Sequence, residues 1–289
     1  MCLPPALPPT STWSPLIERA LEEDVGPGDR TGDLTIPADA RGAAQIEARQ
    51  ELVVCGIPIV VETFRARDPS LSCKLNAGEG QTVPFGAPII EIAGPLRSIL
   101  AAERSALNFF SRMSGIATST RRYVEAVRGT AAQIVDTRKT VPGWRHLDKY
   151  ATAVGGAQNH RMGLFDGILI KDNHIAIAGG VENAVRIARG EAPEDLFVQV
   201  EVQSEEEAIQ AVDAGADFLL LDNFSAEAVG KAVRRLGDRA LLEASGGIHL
   251  ENVRAYAETG VPRISIGALT HSAPGADVSL EMSASGGSG

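Results

Sequence analysis

Between Ile134 and Ala268 six short apolar runs recur: Ile134–Asp136, Gly167–Ile170, Phe197–Val202, Phe218–Leu221, Ala240–Glu243 and Ile264–Ile266. Each ends in a polar or glycine-rich step, and most are followed by a stretch of helical period. Runs that are apolar throughout, without alternation, predict strands covered on both faces, as in parallel sheets. Strand–helix units in series leave two architectures open, a doubly wound sheet and a β/α barrel. A closed eight-fold barrel takes about 250 residues, and these six units occupy 135. An incomplete barrel is therefore expected over 116–272.

The preceding part of the chain is patterned differently. Residues 1–12 are Pro-rich and predict a disordered tail; Met1 to Pro15 has neither the basic start nor the apolar stretch of a secretory signal. Ser14 and Pro15 predict the cap and first turn of a short helix through Leu21. Glu23 to Asp33, EDVGPGDRTGD, reads as a loop. Short strands (QIEAR, LVVCG, PIIEIA) surround a helix over Ile57–Ala66, and a long helix is expected from Leu96 through Met113. Together they predict an α/β sandwich over 13–115, joined by a strand near 277–282, with a domain limit near Gly115. The Ser/Gly-rich end, 283–289, reads as flexible.

The net charge of −10 disfavours nucleic acid and anionic membrane as partners, yet it is an average of two unlike parts. From Arg104 to Lys171 there are eleven Lys or Arg against four Asp or Glu, a local +7, and the remainder carries −17. Such an island suits a small anionic ligand, with Arg121, Arg122 and Arg128 read as solvated helix faces. It lacks the interleaved aromatics of a nucleic-acid site. No apolar run approaches the roughly 18 residues of a membrane helix. Three distant cysteines predict neither a disulfide framework nor a zinc site and suit a reducing cytoplasm.

In β/α architectures the chemistry gathers where strands end and loops begin. Those ends read Thr137-Arg138-Lys139, Lys171-Asp172-Asn173-His174, Glu201, Asp222-Asn223, Ser245-Gly246-Gly247 and Ile266-Gly267-Ala268. A Gly-Gly turn before a helix offers backbone N–H groups to a phosphate, and a second glycine turn after the next strand offers the other half of a cradle, with His271 as a possible further donor. Glu201 and Asp222, from adjacent strands, are suited to Mg²⁺ or to sugar hydroxyls. Arg138, Lys139, His160, Arg161, Lys171 and His174 fall in one segment; arginine forks grip carboxylates and lysines act as point charges toward phosphates.

These motifs resemble the quinolinate phosphoribosyltransferase family over roughly Leu16 to Leu280. The resemblance rests on EDVGPGD, AERSALNFFSRMSGIAT, DTRKTVPGWR, NHRMGL, LIKDNH, VEVQ, LLLDN, EASGGI and ISIGALTH. Val141 stands where relatives often carry a second threonine. The resemblance implies an N-terminal α/β sandwich with a barrel of about seven strands. It also implies transfer of phosphoribose from phosphoribosyl pyrophosphate to quinolinate, with Mg²⁺ and with loss of carbon dioxide, in NAD biosynthesis. Arg138, His160, Arg161 and Lys171 would grip the quinolinate carboxylates. Lys139, Glu201 and Asp222 would surround ribose, metal and pyrophosphate. Thr137 would lie at the substrate site, and Ser245, Gly246, Gly247, Ile266, Gly267 and Ala268 would take the 5′-phosphate. A homodimer would bring Arg104 into the neighbouring site.

Three other readings compete. A cousin enzyme could take another base, such as nicotinate. A Schiff-base aldolase could use Lys139 or Lys171. A carrier module is suggested by the lipoyl-like Gly78 to Ala93, which lacks a modifiable lysine.

Overall fold

The computed structural model describes residues 5–193 and 196–282. The chain divides into two compact units that are each discontinuous in sequence. The first takes Met1–Arg121, Val141–Gly155 and Ala273–Gly289; the second takes Arg122–Thr140 and Gly156–Ser272.

In the first unit a four-stranded antiparallel sheet has the order β12-β1-β5-β3, from β1 (Arg41–Ala48), β3 (Ser72–Leu75), β5 (Pro88–Pro95) and β12 (Val278–Met282). A two-stranded ribbon joins β2 (Leu52–Val53) to β4 (Thr82–Val83). The helices are α1 (Ser14–Val25), α2 (Arg30–Thr35), α3 (Ile57–Arg67), α4 (Leu96–Ala126), whose last turn passes into the second unit, and α5 (Arg145–Gly155). Alternate residues of β1 and β5 (Ala44, Ile46, Ala48, Ile90, Ile92) bury against Phe64, Ile99 and Phe110 from α3 and α4.

Several expectations for this unit are corrected. Residues 5–12 are ordered: Thr10–Thr12 forms a 3₁₀ turn, Leu7 packs on the core, and the buried Trp13 donates its indole N–H to Pro8 O at 2.9 Å. Trp13, not Ser14, is the α1 cap residue. The Glu23–Asp33 loop is shorter than expected, because Asp29 caps α2 by accepting from Gly32 N at 2.9 Å. The long helix does not stop near Met113. Gly115 sits inside it, where a Cβ would meet Pro274 O at 2.1 Å, so this glycine serves close packing against the returning chain. Arg121, read as solvated, instead donates to Val154 O and Gly155 O at the end of α5. The expected tails at 1–4 and 283–289 lie outside the described residues.

The second unit carries six parallel strands in the order β6-β11-β10-β9-β8-β7. They are β6 (Gln133–Val135), β7 (Ile168–Ile170), β8 (Val198–Val202), β9 (Phe218–Asp222), β10 (Leu241–Ser245) and β11 (Arg263–Ser265). All six apolar runs became strands. A lone parallel bridge, Val135 to Gln158, stands on the free side of β6 where a seventh strand would lie. Among the described residues β6 and β7 are not paired, so the sheet is an incomplete β/α barrel. The helices are α6 (Asp172–Ala178), α7 (Val181–Glu191), α8 (Glu205–Asp213), α9 (Ala226–Leu236), α10 (Val253–Ala257) and α11 (Ala268–His271). Ser204 caps α8 by accepting from Glu207 N at 3.1 Å, as its spacing predicts.

The strands are less uniformly apolar than their sequences suggest. Val198, Val200, Val202, Leu219, Leu221, Leu242, Ala244 and Ile264 belong to the hydrophobic cluster shared with the helices. The intervening positions Leu220, Asp222, Glu243, Ser245 and Ser265 line a cavity instead. No helix is long and apolar enough to cross a membrane among the described residues. Cys55 is buried and Cys73 half-buried, both as free thiols.

Candidate active site

A cavity of about 750 Å³ opens where the strands of the second unit end. Its wall holds Thr137, Arg138 and Lys139 after β6, His160 and Arg161 after the Gln158 bridge, and Lys171 after β7. Glu201, Asp222, Ser245-Gly246-Gly247 and Ile266-Gly267-Ala268 complete it, with His271 beside them. Every expected site residue except Arg104 and His174 therefore lines one cavity. Arg104 is exposed on α4, in the first unit.

Lys171 is ion-paired with Glu201 rather than presented as a free amine. Arg161 donates to Gly167 O at 2.9 Å, and its pKa is lowered by burial and by the like charge of Arg138, with Asp166 acting the other way. Two guanidinium groups facing one space form a site for an anion with more than one acceptor oxygen. Gly267 is small for a reason. A Cβ there would lie 2.9 Å from Lys139 Cδ and 3.2 Å from the His271 ring, so the bare backbone lets both side chains converge. Thr270 Oγ1 donates to Lys139 O at 2.8 Å and holds the Lys139 backbone from the same turn.

The turn after β10 is equally specific. Gly246 has φ +88° and Gly247 φ +61°, and a Cβ on Gly246 would strike Asn223 Oδ1 at 2.3 Å. Asn223 itself adopts φ +59°, donates its N–H to Ser245 O and its side-chain N–H to Asp222 Oδ2 at 2.8 Å each. Asn223 thus braces both the glycine turn and the carboxylate. The helix expected directly after Gly247 is corrected: α10 starts only at Val253 and is five residues long. The N–H groups of Gly246, Gly247, Gly267 and Ala268 have no intrachain partner among the described residues, a set of donors at two turns that suits a phosphate.

His174 is not drawn into this cavity; its Nδ1 accepts Lys171 N–H at 3.0 Å in the first turn of α6. Three buried groups and the half-buried Arg263 escaped the sequence reading. Asp136 accepts from His160 N at 2.7 Å and from Asn159 Nδ2 at 2.6 Å. Gln199, Glu243 and Arg263 run as a polar string beneath His160. The signal for Gln199 and Glu243 is a polar residue at every second position of an apolar run, VQVEV and LLEAS. Among the described residues no group of three or more His, Cys, Asp or Glu could hold a metal ion. Glu201 and Asp222 remain as two oxygen donors on one wall, a set that suits a hard cation carried in by phosphates.

Residues 116–281 match the family model described as quinolinate phosphoribosyl transferase, C-terminal domain, and residues 29–114 match the N-terminal domain of the same family. The chain belongs to the quinolinate phosphoribosyltransferase family. Among family members, the nicotinate-nucleotide pyrophosphorylase (carboxylating) of Mycobacterium leprae is 42% identical over 274 residues, 92% of this chain and 95% of that one. A Synechocystis protein described as a probable nicotinate-nucleotide pyrophosphorylase (carboxylating) is 39% identical over 96% of this chain and 94% of its own. The solved nicotinate-nucleotide pyrophosphorylase of Francisella tularensis superposes with a TM-score of 0.92 at 39% identity, covering 96% of this chain and 98% of that one.

Proposed function

We propose that this chain transfers the phosphoribosyl group of phosphoribosyl pyrophosphate to quinolinate. The products are nicotinate mononucleotide, pyrophosphate and carbon dioxide, a step of NAD biosynthesis. The observation that carries the reading is the juxtaposition of Arg138 and Arg161, close enough for one to lower the pKa of the other, in a cavity that also holds Lys139 and Lys171. Such crowding favours a multiply charged anion, and quinolinate brings two carboxylates where nicotinate brings one.

The two glycine turns take the 5′-phosphate, and Lys139 faces the pyrophosphate as it departs and gains charge. Mg²⁺ would be held by Glu201 and Asp222 together with donor oxygens, and when bound it offsets charge on the pyrophosphate. Both carboxylates also tolerate the positive charge that builds on the ribose ring. The pyridine nitrogen bonds to C1 as the C1–O bond to pyrophosphate breaks. The resulting pyridinium accepts the electron pair released when the 2-carboxylate leaves as carbon dioxide, and one proton then fills C2. We place the reaction in the cytoplasm, in a homodimer to whose neighbouring site Arg104 contributes.

The test is direct. Protein, Mg²⁺, phosphoribosyl pyrophosphate and quinolinate are mixed, and carbon dioxide and nicotinate mononucleotide are measured, with nicotinate as the control base. Product from nicotinate without carbon dioxide, and none from quinolinate, would overturn the reading.

A further inference from the structure

We infer that Glu243 is a positioning residue for the anion-gripping wall, acting through Gln199 and His160 on Arg161; this deepens the reading above and rests on it. Glu243 lies mid-strand in β10 and is completely buried, as an acid rarely is without a task. The groups around it form a chain in which every donor and acceptor points one way. Arg161 N–H donates to His160 Nδ1 at 2.7 Å. A backbone N–H can only donate, so Nδ1 is the bare nitrogen and the ring proton sits on Nε2. That nitrogen faces Gln199 Oε1 at 3.0 Å. The other end of the Gln199 amide donates to Glu243 Oε2 at 3.4 Å. Arg263 Nε stands 3.1 Å from the same oxygen and supplies the countercharge.

Glu243 can only accept in its ionised form, and this fixes the polarity of the whole chain. It holds the Gln199 amide with its NH₂ inward and its oxygen toward His160. That oxygen in turn keeps the imidazole proton on Nε2 and leaves Nδ1 to hold the Arg161 backbone. Glu243 Oε1 has no hydrogen-bond partner and lies 3.6 Å from His160 Nε2, a second acceptor on the same side of the ring. Asp136 fixes the other half of the joint by accepting His160 N–H. The ring nitrogens of His160 are thus turned to intrachain partners, and its contribution to anion binding comes through the placement of Arg161.

Replacing Glu243 by Gln preserves shape but lets position 243 donate. The Gln199 amide is then free to reverse, presenting NH₂ to His160 and moving the ring proton to Nδ1, where it repels Arg161 N–H. The experiment uses the full chain with ¹⁵N-labelled histidine, His160 being assigned by comparison with His160→Gln. In the unaltered protein the long-range ¹H–¹⁵N pattern should show the Nε2–H form. Glu243→Gln should shift it toward the Nδ1–H form, raise the quinolinate KM tenfold or more, and leave kcat and the phosphoribosyl pyrophosphate KM within about twofold. Should Glu243→Gln not fold, Gln199→Met breaks the chain at its middle link and is read in the same two ways. An unchanged tautomer, or equal changes in both KM values, overturns the inference. Absence of quinolinate turnover in the unaltered protein would instead strike the functional reading, while the tautomer readout still decides the positioning chain.

Discussion

Lys171 and Glu201, from the ends of the neighbouring strands β7 and β8, are ion-paired on the wall of the cavity. The lysine is 41% exposed and its partner 13%, so the pair is open to solvent on one side only. Exposed pairs of this kind contribute about 0–1 kcal/mol to stability. Lys171→Met should therefore shift the melting temperature by only a few degrees. On the proposed function it should reduce kcat/KM for quinolinate about 100-fold, because the lost charge lines the cavity. Thermal melts alongside steady-state rates separate the two effects, and a parallel loss of both would assign the pair to the fold.

Gly267 gives a cleaner steric test. Its φ of −68° and ψ of −31° are open to any residue, so Gly267→Ala adds no backbone strain. The new Cβ would lie 2.9 Å from Lys139 Cδ and must displace the lysine stem. The expected result is a protein of nearly unchanged stability with kcat/KM for phosphoribosyl pyrophosphate reduced about tenfold or more. Gly246→Ala should behave oppositely, losing about 1–3 kcal/mol, because φ is +88° and Asn223 blocks the Cβ. Denaturant midpoints of the two variants check the contrast.

Arg112 and the buried Asp148 form a two-pronged pair in the first unit, with Nε–Oδ1 at 2.9 Å and Nη2–Oδ2 at 2.7 Å. Asp148 is 1% exposed, and burial raises its pKa while Arg112 pulls it down. Arg112→Met leaves an unpaired buried carboxylate and should cost about 3–5 kcal/mol near pH 8. A native pKa above the unfolded value means that the folded state binds the proton more readily, so stability falls as pH rises through that interval. Removing the arginine extends the interval upward. The deficit of the variant should therefore shrink as pH falls from 8 toward 5, and urea unfolding at several pH values measures it. A deficit independent of pH would mean that Asp148 stays ionised in the variant.

The legible part of this protein was its rim. Strand ends announce themselves by a change from apolar to charged or glycine residues, which is why Lys139, Lys171, Glu201, Asp222 and both glycine turns could be read from the chain. What lies below the rim is hidden by the same rule. Glu243 looks like the polar end of an apolar run, yet β10 continues to Ser245 and the acid is buried mid-strand. α5 illustrates a different limit. Its residues Leu147, Tyr150, Ala151 and Val154 pack with Trp13 and Ile17 in the first unit, although they lie between two barrel strands in sequence. Nothing in its local pattern says which core it joins.

Arg161 and Arg104 divide the remaining question between one chain and two. Arg161 lines the cavity with its pKa lowered by burial and by Arg138, so Arg161→Ala relieves a like-charge contact and removes one jaw of the anion site. It should raise the quinolinate KM tenfold to a hundredfold and change the phosphoribosyl pyrophosphate KM by less than about threefold; a bidentate charged contact is worth about 1.5–3 kcal/mol. Arg104 is exposed on α4 and belongs to the first unit, so in an isolated chain Arg104→Ala should be silent for stability. If Arg104 completes the neighbouring site, the variant dimer loses activity. Mixing it with the impaired Lys171→Met chain should then restore turnover in hybrid dimers that keep one site with both groups. Recovery toward about one quarter of the unaltered rate per chain is expected from random re-pairing. No recovery, with dimers confirmed by sedimentation, would place Arg104 outside the neighbouring site.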